Sequence, residues 1–259
     1  MSDFAKQYCY DRVAKPGSPL SYSLRYLAAA ERDKVVAVHA FYAELEEIIF
    51  ICQEPSVALV KLNWWANELI KEKSDHPVIL FLQKFNFPPE KLLSVIDGVQ
   101  EKLILTPFSN FEEVMVHLMR TVGERELLIN PDISPESIYQ AVLVVEWVNY
   151  LQQLRRYVQR NMIYFPVDEM MKFSVTRDML RELKTTLEIK NLFNYQAEKI
   201  ERAYAAVQAD GEKFAKMPLF IRCKMAYATL KELQASDFSV LENWVALTPL
   251  RLWWIAWRR

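Results

Sequence analysis

Glycine occurs only four times among 259 residues. This scarcity constrains the fold more than any other feature, because tight hairpin turns and bulges draw on glycine's freedom at positive φ. A sheet-rich chain of this length would need many such turns. Between its breaks the chain is rich in Leu, Ala, Glu and Lys, which lose little side-chain freedom in a helix. No segment shows convincing strand alternation. An all-α protein is therefore expected.

Prolines and polar clusters divide the chain into about ten helices. Pro16, Gly17, Ser18 and Pro19 form a loop, and a short helix follows over residues 21–30. The next spans 32–53, and Pro55 starts another that runs to 73. Residues 76–85 form a short apolar helix. Pro88 and Pro89 open a helix to 105, and Asn110 caps one to 129. Ser134, Pro135 and Glu136 combine an N-cap, a proline in the first turn and an acid favoured by the helix dipole. That helix is expected to reach residue 160. The last helices are expected over 190–210, 211–234 and 238–257. No linker or internal repeat interrupts this series, so residues 1–259 are read as a single domain.

Composition narrows the function classes. A net charge of −1 argues against a nucleic-acid partner. Cys9, Cys52 and Cys223 are odd in number and widely spaced, which fits neither a disulfide framework nor a zinc site and suggests a reducing compartment. His39, His76 and His117 form no metal-binding pair. His39 and His117 lie in apolar-rich helices and read as satisfied structural histidines. The N-terminus lacks the apolar core of a signal peptide, and no run of about 18 uncharged apolar residues offers a membrane span. A cytoplasmic location follows as the expectation, with peripheral contact at the inner membrane as an extension of it.

Several motifs recur in a defined order. Residues 32–53 carry A-x-x-A-x-Y-A as Ala37, Ala40, Tyr42 and Ala43. Residues 61–69, KLNWWANEL, place Trp64 and Trp65 one turn before Glu68, and His76, Pro77 and Val78 follow. Asn149 lies late in the 134–160 helix. Residues 160–169, RNMIYFPVDE, contain Tyr164, and a turn at 173–175 comes after them. Taken together over most of the chain, this series resembles the squalene/phytoene synthase family. The resemblance implies an isoprenoid-synthase-like helical bundle around a central cavity.

The same resemblance implies the joining of two prenyl diphosphates. Ionising an allylic diphosphate calls for Mg²⁺ to neutralise the leaving group, and Mg²⁺ wants carboxylate oxygens from two facing helices. In the family's register the first motif falls on Ile49, Phe50 and Gln53, and the second on Gln153 and Tyr157. Arg155 and Arg156 stand between the latter pair. Apolar side chains cannot ligate Mg²⁺ and arginines repel it, so no metal, no cofactor and no catalytic residue are expected at these positions. Glu44 and Glu47, with Glu46 beside them, could form a displaced carboxylate pair. They read better as solvated or cation-paired, with Arg155 or Arg156 as candidate partners.

Three functional readings follow. In the first, the chain resembles a divergent branch of the family that lacks the aspartate motifs and includes a mitochondrial complex I assembly factor. It is then a non-catalytic binding or assembly protein for a lipid or prenyl ligand or a protein partner. Glu44, Glu47, Trp64, Trp65, Asn149, Arg155, Arg156 and Tyr164 are its candidate cavity residues. In the second, it is an active prenyltransferase with an atypical Mg²⁺ site. In the third, it binds a diphosphate or a lipid without turnover, through Arg155 and Arg156. Trp64 and Trp65 equally suit ordinary packing, since tryptophan buries much area in any helical bundle. The tail carries Arg251, Trp253, Trp254 and Trp257, with Arg258 and Arg259 after them. It suits either a terminal helix packed on the bundle or a contact with a membrane surface or protein.

Overall fold

The computed structural model describes residues 2–52, 54–104, 107–209 and 217–258. Among them every regular element is a helix, as the glycine-poor composition requires. The expected helix ends at Gln53, Leu105 and Asp210, the start at Gly211, and the tail residue Arg259 lie outside the described residues. By packing, the chain divides into two units: Met1–Leu105 with Met119–Pro135, and Thr106–Leu118 with Glu136–Arg259. No change in composition marks the division.

The first unit begins with α1 (Ser2–Val13), which the sequence did not lead one to expect. It has little apolar character of its own. Its place is set by tertiary contacts, with Ala5 and Cys9 buried and the Tyr10 hydroxyl donating to Asp33 at 2.7 Å. Next comes α2 (Pro19–Ser23), started by Pro19 and by Ser18, whose side chain accepts from the Ser21 N–H at 3.2 Å. A 3₁₀ turn, Leu24–Tyr26, ends it.

The expected helix over 21–30 is therefore cut short, and α3 (Ala29–Ile51) starts earlier than residue 32. The reason is local. Ala28 is extended, and its N–H is taken by the Glu31 carboxylate at 3.3 Å. Eight consecutive residues, Val35 to Tyr42, are buried. A helix enclosed on all its faces belongs to the core. Within this unit α3 meets α1, α4 (Pro55–Leu69), α5 (Pro77–Leu82) and α6 (Pro89–Ile104).

The chain then enters the second unit for α7 (Phe111–Leu118). It returns through a π-helical turn, Met119–Gly123, to α8 (Glu124–Ile129). The single helix expected over 110–129 is thus three segments. The π turn seats the Arg120 carbonyl against Gly98 of α6, where a Cβ would lie 2.7 Å from that oxygen.

The second unit is built on α9 (Pro135–Gln152), whose Ile138, Ala141, Val144, Trp147 and Leu151 are buried. The helix expected to reach residue 160 breaks at Gln153 (ψ 10°) and resumes as α10 (Leu154–Gln159). Then come α11 (Val167–Lys172) and α12 (Arg177–Arg181), two short helices with no sequence periodicity long enough to announce them. Left-handed residues Asn161, Ser174 and Leu183 set off these pieces. The unit continues with α13 (Leu187–Ala209), α14 (Pro218–Ala235) and α15 (Pro249–Trp257).

The helix expected over 238–257 is not continuous. Phe238 takes φ 54°, a 3₁₀ turn covers Ser239–Leu241, and the chain runs on to Thr248. The Thr248 side chain caps α15 by accepting from the Arg251 N–H at 3.3 Å, with Pro249 at the first helical position.

Candidate functional site

The last turns of α3 hold three glutamates and two apolar residues. Ile49 and Phe50 are each only 8% exposed. Glu44 accepts from the Tyr8 hydroxyl at 3.0 Å. Its Oε1 lies 3.1 Å from Arg12 Nε, and the same guanidinium pairs with Glu47. Glu46 pairs with Lys102 of α6, whose Nζ also lies 3.4 Å from the Tyr42 hydroxyl. Each glutamate thus has a cation, as the cation-paired reading expects. Those cations are Arg12 and Lys102, where the sequence pointed to Arg155 or Arg156. Arg12 escaped sequence reasoning because it sits on α1, a helix whose docking the sequence does not announce.

Beside this cluster stands an aromatic group around His76. Its ring lies 4.6 Å from that of Trp65, 5.8 Å from Trp64 and 6.2 Å from Tyr8, all edge-on. Trp65 is buried and also meets Phe41 edge-on at 5.8 Å, so it packs as an ordinary core residue. Trp64 is 44% exposed. His76 Nδ1 accepts from the Val78 N–H at 3.3 Å and so caps α5. Burial pushes its pKa down, against a weaker opposing pull from Glu44 and Glu68. Glu68 is buried and accepts from Lys71 and from Ser74 Oγ. These hydrogen bonds, Lys71's first, hold its carboxyl below the usual range.

A second group of charges in this unit was not legible in the sequence. Arg125 Nε and Nη2 lie 3.1 Å and 2.8 Å from Glu126 Oε1, and both residues are buried. His39 Nε2 is 3.7 Å from the same oxygen. The Arg125 guanidinium stands 4.7 Å from the centre of the Tyr42 ring. Adjacent Arg and Glu on a helix usually face solvent, so nothing in their spacing signals burial.

In the second unit Asn149 is half-buried, and its carbonyl accepts from the Gln153 N–H at 3.0 Å. Tyr157 is half-buried between the rings of Tyr150 at 5.1 Å and Tyr164 at 5.5 Å. The buried Tyr150 hydroxyl accepts from the Tyr164 N–H at 2.9 Å, which pins the turn after α10. Burial pushes the Tyr150 phenol pKa up. Arg155 Nη1 donates to the carbonyls of Leu241 at 3.3 Å and Glu242 at 3.0 Å. Arg156 is exposed on the following position. Deeper in the unit, Trp147 Nε1 donates to Gln196 Oε1 at 3.0 Å, while Gln196 and Lys199 both donate to buried Glu169.

On α15, Trp254 and Trp257 are 45% and 58% exposed and Leu250 is 73% exposed. Trp253 is half-buried and stacks on Trp257, with ring centres 6.3 Å apart and planes at 9°. Arg258 stands over the Trp254 ring at 5.1 Å, and Arg251 pairs with Glu232 at 2.5 Å. Among the described residues no helix is long and apolar enough to cross a membrane.

A family model described as Squalene/phytoene synthase matches residues 13–125 and 141–254. Solved structures match along the whole chain at low identity. A dehydrosqualene synthase in complex with ligand is 16% identical, with TM-score 0.82, over 99% of this chain and 96% of that one. Squalene synthase HpnC from Alicyclobacillus acidocaldarius is 14% identical, with TM-score 0.74, over 92% and 95%. YisP from Bacillus subtilis subsp. subtilis strain 168 is 17% identical, with TM-score 0.65, over 98% and 96%. No curated protein matches the sequence.

Proposed function

Since the chain belongs to the squalene/phytoene synthase family, we propose that it is a member that binds without turning over, of the divergent branch lacking the aspartate motifs. The observation that carries this reading is the state of the carboxylates on α3. Glu44, Glu46 and Glu47 are matched with Arg12 and Lys102. To hold Mg²⁺ they would first have to leave those cations.

The residues in the family's motif register do not fit Mg²⁺ either. Ile49 and Phe50 are buried and have no oxygen to offer. Gln153 is neutral, and Tyr157 is held among tyrosine rings. Arg155 and Arg156 bring positive charge to the same short helix. The protein's role is then to hold a lipid, a prenyl compound or a protein partner, as an assembly factor does.

We further infer that α15 brings the protein to an anionic lipid surface. Exposed Trp254, Trp257 and Leu250 next to Arg258 give the apolar and cationic pairing that suits the headgroup boundary.

The test of turnover is incubation with farnesyl or geranylgeranyl diphosphate and Mg²⁺, read by mass spectrometry of the organic extract. No condensed product is expected. A product that disappears in Glu44→Gln or Glu47→Gln would overturn the proposal in favour of a prenyltransferase with a displaced metal site.

A further inference from the structure

Helix α4 leaves one apolar row outside. Ala58, Leu62 and Trp65 are buried, while Val57, Val60 and Trp64 are 48%, 69% and 44% exposed. Spacings of three and four residues place these last three along one side of the helix. Ile51, in the last turn of α3 just ahead of it, is 57% exposed. We infer that this row is the seat of a second copy of the chain, whose own α4 packs against it antiparallel across a two-fold axis. The inference goes beyond the binding reading above and does not depend on it.

Charge decides the partner and its direction. Glu54, the N-cap residue of α4, and Lys61, two turns on, border the row on the same side. Both are exposed, and among the described residues neither side chain has an ion-pair partner in its own chain. A two-fold axis makes each contact occur twice, with residue i meeting j and j meeting i. When antiparallel helices set Val57 against Val60 of the other copy, Glu54 falls beside Lys61 of that copy. Two opposite-charge pairs then form on one flank, and neutral Ser56 and Asn63 meet on the other. A parallel pairing would set Lys61 beside Ser56 and leave both charges unmatched. Lys71, the next cation along the helix side, is taken by Glu68. The face thus carries both signs, complementary to itself, where an anionic membrane would call for cations alone.

Rigidity is the second argument. The Trp64 ring stands edge-on to Trp65 at 5.4 Å and to His76 at 5.8 Å. A side chain braced in this way has little rotamer freedom left to lose on association. Tryptophans held ready at the centre of a contact carry a large share of interface energy.

Size sets the strength. The four apolar side chains expose on the order of 300–400 Å². Doubled across the axis, with the charged flanks added, the contact comes to roughly 1,000 Å², where specific but reversible interfaces begin. The dimer is therefore expected to dissociate at roughly micromolar concentration.

The experiment is sedimentation velocity of the full chain over about 1–200 µM, a range that brackets such an affinity. The expected result is a shift from monomer to dimer with rising concentration. Val60→Glu puts a charge into the middle of the row and is expected to weaken dimerisation more than tenfold. Lys61→Glu sets two acidic pairs across the axis and is expected to weaken it about tenfold, as is Glu54→Lys with two basic pairs. The double change Glu54→Lys with Lys61→Glu re-forms both pairs with their signs exchanged and is expected to restore the dimer to within about threefold of the parent. The charge variants answer the question even if Val60→Glu folds poorly, and far-UV circular dichroism checks the fold of each.

A chain that stays monomeric throughout overturns the inference. So does a dimer that Val60→Glu leaves intact, because another face then holds it. Failure of the double charge exchange to restore association overturns the antiparallel pairing. Vesicles of phosphatidylcholine with phosphatidylglycerol supply the last arm: a monomer whose flotation falls on Val60→Glu assigns the row to lipid and likewise overturns the inference.

Discussion

Replacing Gly98 by alanine puts a methyl group where the structure has no space for one. A Cβ there would stand 2.7 Å from the Arg120 carbonyl oxygen, 3.2 Å from its carbon and 3.0 Å from Thr121 Cγ2. The first two are backbone atoms of the π turn, so relief requires the turn to move away from α6. Overpacking costs about 1–3 kcal/mol, and a contact with backbone atoms that can only move with the whole turn falls at the upper end, about 2–3 kcal/mol. Alanine returns about 1 kcal/mol through its helix propensity. The net loss is on the order of 1–2 kcal/mol, which lowers Tm by roughly 2–8 °C in a chain of this size.

Gly123→Ala is the internal control. Its Cβ would meet Met119 Cε at 2.7 Å and Sδ at 2.9 Å, the far end of a flexible side chain. That end can rotate aside, so the change in Tm should be small and of either sign. Circular dichroism melts of both variants decide the matter. If Gly98→Ala melts at or above the parent, or no lower than Gly123→Ala, the reasoning about backbone contact at the π turn is wrong.

Two further outcomes are expected. Glu169→Ala removes the acceptor shared by Gln196 and Lys199 and leaves the Lys199 ammonium, 13% exposed, against the Phe111 and Tyr195 rings. Breaking a buried pair on one side costs about 3–5 kcal/mol, and urea unfolding that shows a loss below about 1 kcal/mol would remove the network from the list of buried, coupled contacts. The double change Trp254→Ala with Trp257→Ala should cut flotation with phosphatidylcholine–phosphatidylglycerol vesicles several-fold while the far-UV spectrum stays the same. Equal flotation of variant and parent would count against the lipid contact of α15.

Much of the helical framework was legible because helix signals are local. Pro55, Pro89 and Pro135 open helices as expected, at positions where a missing N–H costs nothing, whereas Pro19, Pro218 and Pro249 also open helices, at places expected to be loop or helix interior. The interruptions were harder to read. Nothing in residues 110–129 marks the π turn, whose Arg120 carbonyl seats against Gly98 on another helix. The left-handed Phe238 at the start of the last expected helix is a residue type seldom found there, so its identity carries no warning. Helix α1 went unnoticed because its own apolar face is weak, and contacts from α3 and α5 hold it.

The sequence by itself determined the fold class and the residue types at the positions proposed for the motifs. Residue types decide whether an oxygen is there to offer, and Ile49 and Phe50 have none. Which cation answers which carboxylate was decided only by the tertiary structure. Lys102 reaches Glu46 across 56 residues of chain, and Arg12 reaches Glu44 and Glu47 from a helix the sequence barely marks. Helix periodicity and capping act within a turn or two, whereas ion pairs depend on where packing places distant segments, and no local pattern encodes that placement.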